Sequence, residues 1–518
     1  MKGSKLVPGP SVLLVLIALA ASVVSARPSC ESLKSLKITN VTISETKTYS
    51  PPNDLVIPIP ASPFAAAGNL TISNPMCRVI AYATPTADSH IDFEVWLPEP
   101  SDWNKKFEAI GNGGFIGAIS YGAMDTGLKL GFAIAGTDTG HKGMDESWAL
   151  GHPEKLVDWS YRAVHVMTVA SKQIVKAYYG TAAKLAYWDG CSTGGKQGLT
   201  EAQKYPDDFD GIVAGAPANY ITRLQAGSEY MSWVSLKDGI TGPEYIPPAK
   251  YPALHQAALD ACDAKDGVKD GVIEDPMLCR FNPKTIECKG EGGNDCLTAP
   301  QVKTAKEIYE GAKFANGKQI YPGLEPGSEL AWNYMAGGPE PTSIGTGFFK
   351  YMVFDNPNWD FRTFNADKDT RYADKKIGSI VNAIDPDLAA FDAHGGKLVM
   401  YHGWADQLIA PENSINYYKS VVAKMGGLKK TQQFARLFMV PGMMHCQGGA
   451  GPSKFDALTA VEKWREQGTV PMKIIASKSA NGTVTETRPL CPYPQAAIYN
   501  GSGSTDEAAN FVCGNPKW

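Results

Sequence analysis

The feature that most constrains the fold of this chain is an alternation of apolar strands with helical stretches. The alternation runs from about residue 91 to 224, stops, and resumes at about residue 391. This pattern is typical of a mostly parallel sheet covered by helices on both faces. The predicted strands are 93–97, 106–110, 132–135, 185–188, 211–215, 397–402 and 435–440, and the predicted helices are 158–179, 195–204, 411–424 and 455–467.

The interruption predicts an inserted domain. Residues 225–390 are rich in Gly, Pro and aromatic residues and lack a run of strand–helix units. We therefore expect residues 27–224 and 391–518 to build the sheet domain, and residues 225–390 to fold over its carboxyl edge as a lid. A chain of 518 residues is long enough for both parts.

A pentapeptide between a predicted strand and a predicted helix indicates catalysis. Gly190-Cys191-Ser192-Thr193-Gly194 matches the G-x-S-x-G elbow of α/β-hydrolases, in which a serine occupies a strained turn between tight glycines. A chance match is common in a long chain, and the alternative is an ordinary Gly-rich turn. The strand before and the helix after favour Ser192 as a nucleophile and an α/β-hydrolase fold.

The order of a hydrolase triad along the chain then directs the search for a base and an acid. The acid and the histidine follow the serine in this fold. His445 alone among the eight histidines lies beyond the late strand at 397–402. Asp406 lies just after that strand and is the preferred acid, with Glu412 as its rival at a helix start. We interpret His402 as structural or as a pocket wall.

Two further features belong to this predicted site. Cys191 and Cys446 flank Ser192 and His445, so a disulfide between them is possible if the triad forms, although either cysteine could pair elsewhere. The oxyanion hole should combine the N–H of Thr193 with one from the loop at 111–115, where we favour Gly114 over Gly113.

An acidic loop within the insertion is a candidate calcium site. Calcium prefers six to eight oxygen ligands, including backbone carbonyls. The two Asp-Gly pairs of this stretch disfavour a helix, and the spacing is not that of an EF-hand, so a solvated turn is an equal alternative. The proposed ligands are Asp263, Asp266, Val268, Asp270 and Val272.

The amino terminus and the cysteines predict export. Residues 1–26 read as a signal peptide, with Lys2 and Lys5 before an apolar run and small residues at the end. Ten cysteines in an exported chain imply disulfides. The net charge of −4 offers no basic field for nucleic acid. Sequons for glycosylation occur at Asn40, Asn69, Asn481 and Asn500.

Together these residues resemble the tannase family of secreted esterases, which includes feruloyl esterases. The resemblance is carried by Cys191-Ser192, Asp406 and His445-Cys446, by the acidic loop, and by Gly111-Asn-Gly-Gly and Tyr205-Pro-Asp-Asp-Phe-Asp-Gly. It implies an α/β-hydrolase with a lid that carries structural Ca²⁺, no organic cofactor, and a Cys191–Cys446 disulfide. The other expected pairs are Cys30–Cys77, Cys262–Cys279, Cys288–Cys296 and Cys491–Cys513.

The resemblance also implies hydrolysis of phenolic-acid esters. Release of ferulic and related hydroxycinnamic acids from plant cell-wall polysaccharide is the first hypothesis, and a tannase that cleaves galloyl esters is the second. A secreted binding protein without catalysis and a serine carboxypeptidase are further alternatives. We expect a secreted monomer or homodimer that binds neither nucleic acid nor membrane.

An aromatic stretch of the insertion is a candidate acyl pocket. Its rings could stack on a phenolic group, although packing within the lid core is the better interpretation for most of them. The residues are Phe348, Phe349, Tyr351, Phe354, Trp359 and Phe361.

Overall fold

The structure is a computed structural model of the chain. It describes residues 1, 3–6, 9, 29–52, 54–59, 67–143, 145–290, 292–335 and 338–517. The predicted signal peptide, residues 1–26, lies almost wholly outside these ranges. None of the helices in the described ranges is both long enough and apolar enough to cross a membrane.

Seventeen strands lie in the described ranges. They are β1 (Val41–Tyr49), β2 (Leu55–Ile59), β3 (Gly68–Ile72), β4 (Met76–Ala83), β5 (Ile91–Pro98), β6 (Lys106–Ile110), β7 (Ala133–Thr137), β8 (Leu185–Cys191), β9 (Gly211–Gly215), β10 (Ala312–Lys313), β11 (Gln319–Tyr321), β12 (Lys397–Gly403), β13 (Ala435–Val440), β14 (Ile474–Ala480), β15 (Thr483–Leu490), β16 (Ala496–Tyr499) and β17 (Phe511–Gly514).

Thirteen α-helices accompany them in the same ranges. They are α1 (Tyr121–Lys129), α2 (Pro153–Val157), α3 (Ala163–Tyr179), α4 (Thr193–Lys204), α5 (Ile221–Leu236), α6 (Tyr251–Cys262), α7 (Ala299–Glu310), α8 (Ser343–Gly347), α9 (Ala366–Val381), α10 (Ala389–Ala393), α11 (Glu412–Lys424), α12 (Leu428–Thr431) and α13 (Ala457–Gln467).

Nine of the strands form the central sheet, in the order β1-β4-β5-β7-β6-β8-β9-β12-β13. The pairs from β1 to β7 are antiparallel, and those from β7 through β6, β8, β9 and β12 to β13 are parallel. Parallel strands need helical crossovers that cover both faces, so their side chains are mostly apolar and buried. Every residue of β7, β9 and β13 is accordingly buried.

Helices cover the sheet on two sides, and each side has its own apolar core. On one face, Met167 and Ile174 of α3 and Tyr418 of α11 pack against the strands. On the other face, Met124 of α1 and Trp464 of α13 do so. This three-layer arrangement confirms the predicted α/β fold.

The predicted elements of the sheet domain are present, with small shifts at their ends. The helix predicted over 158–179 begins as a π-helical turn at Asp158–Arg162 and continues as α3. The helix predicted from residue 195 starts two residues earlier, directly after Ser192.

The chain between β9 and β12 contributes no strand to the central sheet within the described residues. It contains helices α5 to α10 and the short hairpin of β10 and β11. Its apolar side chains belong to two further clusters. One is centred on Phe348 and Phe349 and also includes Phe115 and Trp159 from before β9, and the other is centred on Trp332.

The five disulfides join the pairs that were expected. They are Cys30–Cys77, Cys191–Cys446, Cys262–Cys279, Cys288–Cys296 and Cys491–Cys513. No free cysteine occurs in the part of the chain that the structure describes.

Candidate active site

Ser192 occupies a strained turn between β8 and α4. Its φ is 66° and its ψ is −123°, a backbone conformation that costs energy for any residue with a side chain. The close packing around the turn requires glycine, because a Cβ on Gly190 would lie 2.6 Å from the carbonyl carbon of Gly194. A Cβ on Gly111 would lie 2.5 Å from the α-carbon of Gly194. The motif therefore forms the elbow that its spacing predicts.

Asp406 and His445 meet at the carboxyl edge of the sheet. Asp406 follows β12 and His445 follows β13, and these two strands are parallel neighbours. The Nδ1 atom of His445 lies 2.8 Å from Oδ2 of Asp406. The Asp406 side chain is fully buried, whereas that of His445 is 14% exposed. Glu412, the rival acid, is the first residue of α11, and Asp406 is the carboxylate that bonds to the imidazole.

A second histidine holds the same carboxylate. Nε2 of the fully buried His402 lies 3.0 Å from Oδ2 of Asp406, and its Nδ1 lies 2.7 Å from the Ser414 hydroxyl. The backbone N–H groups of Leu408 and Ile409 donate to the other carboxylate oxygen, at 2.8 and 2.9 Å. Asp406 is therefore fixed by four donors, which supports the interpretation of His402 as a structural residue.

The electrostatics of Asp406 follow from these contacts. Burial by itself would raise the pKa of this carboxyl. The charge of His445 and the hydrogen bonds from His402 and His445 outweigh burial and hold the pKa well below its ordinary value. The group is thus a permanent carboxylate, suited to orient an imidazole and to stabilise its protonated form.

The Cys191–Cys446 disulfide connects the two halves of the site, with α-carbons 6.0 Å apart. Cys446 itself has a φ of 64°. The disulfide brings the His445 loop against the elbow, and Ser192 and His445 line one cavity. Within the described residues, no hydrogen bond joins the Ser192 hydroxyl to the imidazole, as is common in hydrolases without bound substrate.

The predicted oxyanion loop lies beside the elbow. Gly114 lines the cavity with Thr193, and the Thr193 hydroxyl donates to the Gly114 carbonyl at 2.8 Å. The N–H groups of both residues donate no hydrogen bond to any described residue, which leaves them free for a ligand. Of the two glycines considered, Gly114 is the one that lines the cavity. It has a φ of 51°, which favours glycine.

The buried His141 contacts the predicted oxyanion loop. Nε2 of His141 lies 2.7 Å from the carbonyl oxygen of Phe115, the residue after Gly114, and the ring stacks on Trp148. Burial lowers the pKa of His141 to about 4, so the ring is neutral and donates one N–H to that carbonyl.

The aromatic stretch of the insertion mainly packs within the insertion rather than around the cavity. Phe348 and Phe349 are fully buried, and Phe354 and Trp359 pack against their cluster. Phe115 is the aromatic side chain that lines the cavity among the described residues. These four aromatic side chains of the insertion therefore form part of an apolar core and do not line the cavity.

The acidic loop folds back on itself beside the carboxyl-terminal segment. Asp263 accepts from the N–H groups of Asp270 and Gly271, at 3.2 and 3.1 Å. Asp270 also accepts from Arg488 at 2.7 Å. Burial, together with the negative charge of the nearby Asp270, raises the pKa of Asp266 to about 6.

A second set of metal-type donors was not predicted from the sequence. One ligand atom each from His165, Glu201 and Asp208 lies within 4.8 Å of the others, and Glu201 belongs to the last turn of α4. Such a set could hold a metal ion. Burial and the nearby Asp208 raise the pKa of Glu201 well above its ordinary value. The three residues come from α3, α4 and the following loop, and no local spacing signals their contact.

The fold and the site define an α/β-hydrolase with a buried Asp–His pair beside a serine elbow. A family model described as tannase and feruloyl esterase matches residues 77–514. The chain belongs to this family and is a carboxylic ester hydrolase.

Individual relatives agree with this assignment. The chain is 37% identical to an uncharacterized esterase of Xanthomonas campestris, over 94% of this chain and 92% of that one. It is 37% identical to a probable feruloyl esterase B-1 of Aspergillus flavus, over 85% and 86%. The crystal structure of feruloyl esterase B from Aspergillus oryzae superposes with a TM-score of 0.87 at 31% identity, covering 93% and 99% of the two chains.

Proposed function

We propose that this chain is a secreted serine esterase that releases ferulic and related hydroxycinnamic acids from plant cell-wall polysaccharide. Ser192 is the nucleophile, His445 the base and Asp406 the acid. The observation that carries the proposal is the 2.8 Å contact between His445 and Asp406, on a loop that Cys446 ties to the serine elbow.

The proposed reaction is acyl transfer to water. His445 takes the proton of Ser192 as the hydroxyl oxygen attacks the ester carbonyl. The N–H groups of Gly114 and Thr193 stabilise the negative oxygen that develops. His445 then gives the proton to the leaving alcohol, and a water molecule activated by the same imidazole releases the acid and restores Ser192.

The substrate class rests on the relatives and on the cavity. Several relatives are named feruloyl esterase or probable feruloyl esterase. The cavity beside Ser192 is walled by apolar side chains such as Phe115, Leu224 and Ile409. An apolar wall suits a flat aromatic acyl group, while the polysaccharide part would remain outside.

We further propose that residues 225–390 are a lid over the sheet domain, which comprises 27–224 and 391–518. Met335, Thr342 and Ile344 from this segment line the cavity with Ser192, which supports the assignment. Helix α5 crosses the proposed boundary, since it begins at Ile221.

The acidic loop is proposed to bind a structural Ca²⁺ through Asp263, Asp266, Asp270 and the carbonyl oxygens of Val268 and Val272. Both valines are buried, and their carbonyl oxygens accept no hydrogen bond from any described residue. Residues 263–275 hold five carboxyl groups and two lysines, an excess of three acidic groups. Arg488, which contacts both Asp270 and the buried Glu274, offsets one of them. A cation would supply the missing charge and satisfy the free oxygens.

Secretion and glycosylation complete the proposal. Five disulfides are typical of proteins from oxidising compartments. The sequon residues Asn40, Asn69, Asn481 and Asn500 are all exposed, as attachment of a glycan requires.

Hydrolysis of methyl ferulate and methyl gallate, compared at equal enzyme concentration, tests the proposed activity. We expect kcat/KM for methyl ferulate to be at least about tenfold higher, which corresponds to a difference of about 1.4 kcal/mol in transition-state binding. A preference for methyl gallate would favour a tannase, and hydrolysis of neither ester would contradict the proposal.

A further inference from the structure

One face of helix α5 forms a wall of the cavity at Ser192. Ile221, Leu224, Gln225 and Ser228 all line it, at the spacing of one helical face. The helix begins beside the nucleophile, because the N–H of Ala218 donates to the Ser192 carbonyl at 3.0 Å. Gln225 lies about 6 Å further along the helix axis than Ile221, at a rise of about 1.5 Å per residue. It is therefore placed one helical turn beyond Ile221, the first residue of the helix.

The Gln225 side chain is buried and has unused hydrogen-bonding capacity. The residue is 4% exposed, and its Oε1 atom is inaccessible and has no hydrogen-bond partner among the described residues. A buried amide group without hydrogen-bond partners lowers the stability of the folded state by about 1–3 kcal/mol in mutational measurements. Such a group in a ligand cavity is typical of a site that binds a polar atom of the ligand.

The other walls restrict what that ligand is. Phe115, Met335, Ile344, Leu408 and Ile409 are apolar. Ser228 donates its hydroxyl hydrogen to the Leu224 carbonyl, and Thr342 is the remaining polar side chain away from the elbow. No Lys or Arg lines the cavity in the ranges described. The cavity thus suits an uncharged ring with one neutral polar substituent, and not an acyl group that ends in a carboxylate.

We propose that Gln225 binds the phenolic hydroxyl at the far end of the aromatic acyl group and thereby selects 4-hydroxylated acids. The amide N–H₂ donates to the phenolic oxygen or to a neighbouring methoxy group, and rotation of the amide about its terminal bond brings the covered oxygen to the phenolic O–H. This subsite rests on the proposed function, since it names the feature of the acyl group that the esterase recognises.

Two substrates that differ only in this hydroxyl test the subsite. They are methyl 4-hydroxycinnamate and methyl cinnamate, assayed with the wild type and with Gln225→Leu. We expect the variant to lose about 10-fold to 100-fold in kcat/KM for the hydroxylated ester, as for removal of a buried hydrogen bond. The loss should be less than about threefold for methyl cinnamate, so the preference for the hydroxylated ester disappears.

Matched variants complete the design. Gln256→Leu changes an exposed glutamine whose partner is Asp260, and it should leave both rates unchanged. Gln225→Met, which is close to glutamine in volume, replaces the leucine variant if that variant does not fold. Equal losses for the two esters would overturn the subsite and leave the esterase intact. If the wild type hydrolysed neither ester, the proposed function would fail and the subsite with it.

Discussion

Cys191 is bonded to Cys446, so a covalent bond joins the residue before Ser192 to the residue after His445. The two cysteines are 255 residues apart in the chain: Cys191 is the last residue of β8, and Cys446 lies in the loop after β13. The bond limits how far the imidazole loop can move from the elbow. It therefore acts on the geometry of the site as well as on stability.

Removal of this disulfide should lower both activity and stability. For Cys191→Ala with Cys446→Ala we expect kcat/KM for methyl ferulate to fall at least about tenfold, because a small misplacement of catalytic groups has a large effect on rate. Loss of a native disulfide typically costs about 2–5 kcal/mol in unfolding free energy. The control is Cys491→Ala with Cys513→Ala, which removes a disulfide from the carboxyl-terminal segment. The control should lose stability with little change in kcat/KM, and equal loss of activity in the two proteins would contradict the positional role.

Replacement of His402 should lower turnover far less than replacement of Asp406, the carboxylate that it contacts. Asp406→Asn should lower kcat about 10⁴-fold, as loss of the triad acid does in serine hydrolases. His402→Gln retains a hydrogen-bond donor near Asp406 and should lower kcat by less than about 100-fold, because His402 only positions the carboxylate. Steady-state rates of methyl ferulate hydrolysis by the two variants measure this difference in kcat. A His402 variant as inactive as the Asp406 variant would mean that His402 has a larger part in the site.

The mostly parallel sheet and the contact between Asp406 and His445 could be predicted from sequence because each depends on local pattern. Ser192 lies in a five-residue motif, and His445 and Asp406 each follow a strand whose apolar residues are consecutive. Glu412 stayed a rival until the structure paired Asp406 with the imidazole. The order of strands and helices along the chain predicts which loops meet at the sheet edge. It does not predict which carboxylate contacts the imidazole.

The contacts that were missed join residues without a shared local pattern. Gln225 lies on a helix that is buried nearly all round, so periodicity gives no sign that one face lines a cavity. The contact of His165 with Glu201 and Asp208 depends on how α3 packs against α4. His402 did carry a signal, since an ionisable residue at the end of a buried strand needs a partner.

Chelation should destabilise the protein if the acidic loop binds Ca²⁺. We expect EDTA to lower Tm by several degrees and added Ca²⁺ to restore it, because a ligand bound only by the folded state stabilises that state. Asp266→Asn should lower Tm in Ca²⁺ and abolish the response to EDTA. Asp238→Asn alters an exposed carboxylate elsewhere and should keep the response. An unchanged Tm of the wild type in EDTA would contradict the calcium proposal.

Glu229 should make stability depend on pH. This residue of α5 is fully buried against the Thr346 hydroxyl, and burial raises its pKa to about 8 from 4.5. Between these values the unfolded chain is ionised at this position and the folded one is protonated, so its contribution to stability falls as pH rises. Glu229→Gln removes the titration. Tm measured from pH 5 to 8.5 should therefore decline less steeply in the variant, and parallel curves would contradict the assignment.

Covalent trapping of the nucleophile tests the central claim most directly. The protein is treated with a fluorophosphonate, which reacts with activated serines, and the modified peptide is identified by mass spectrometry. We predict a single adduct on Ser192, formed in step with loss of methyl ferulate hydrolysis and strongly slowed in His445→Ala. An adduct on a different residue, or full inactivation with Ser192 unmodified, would contradict the account.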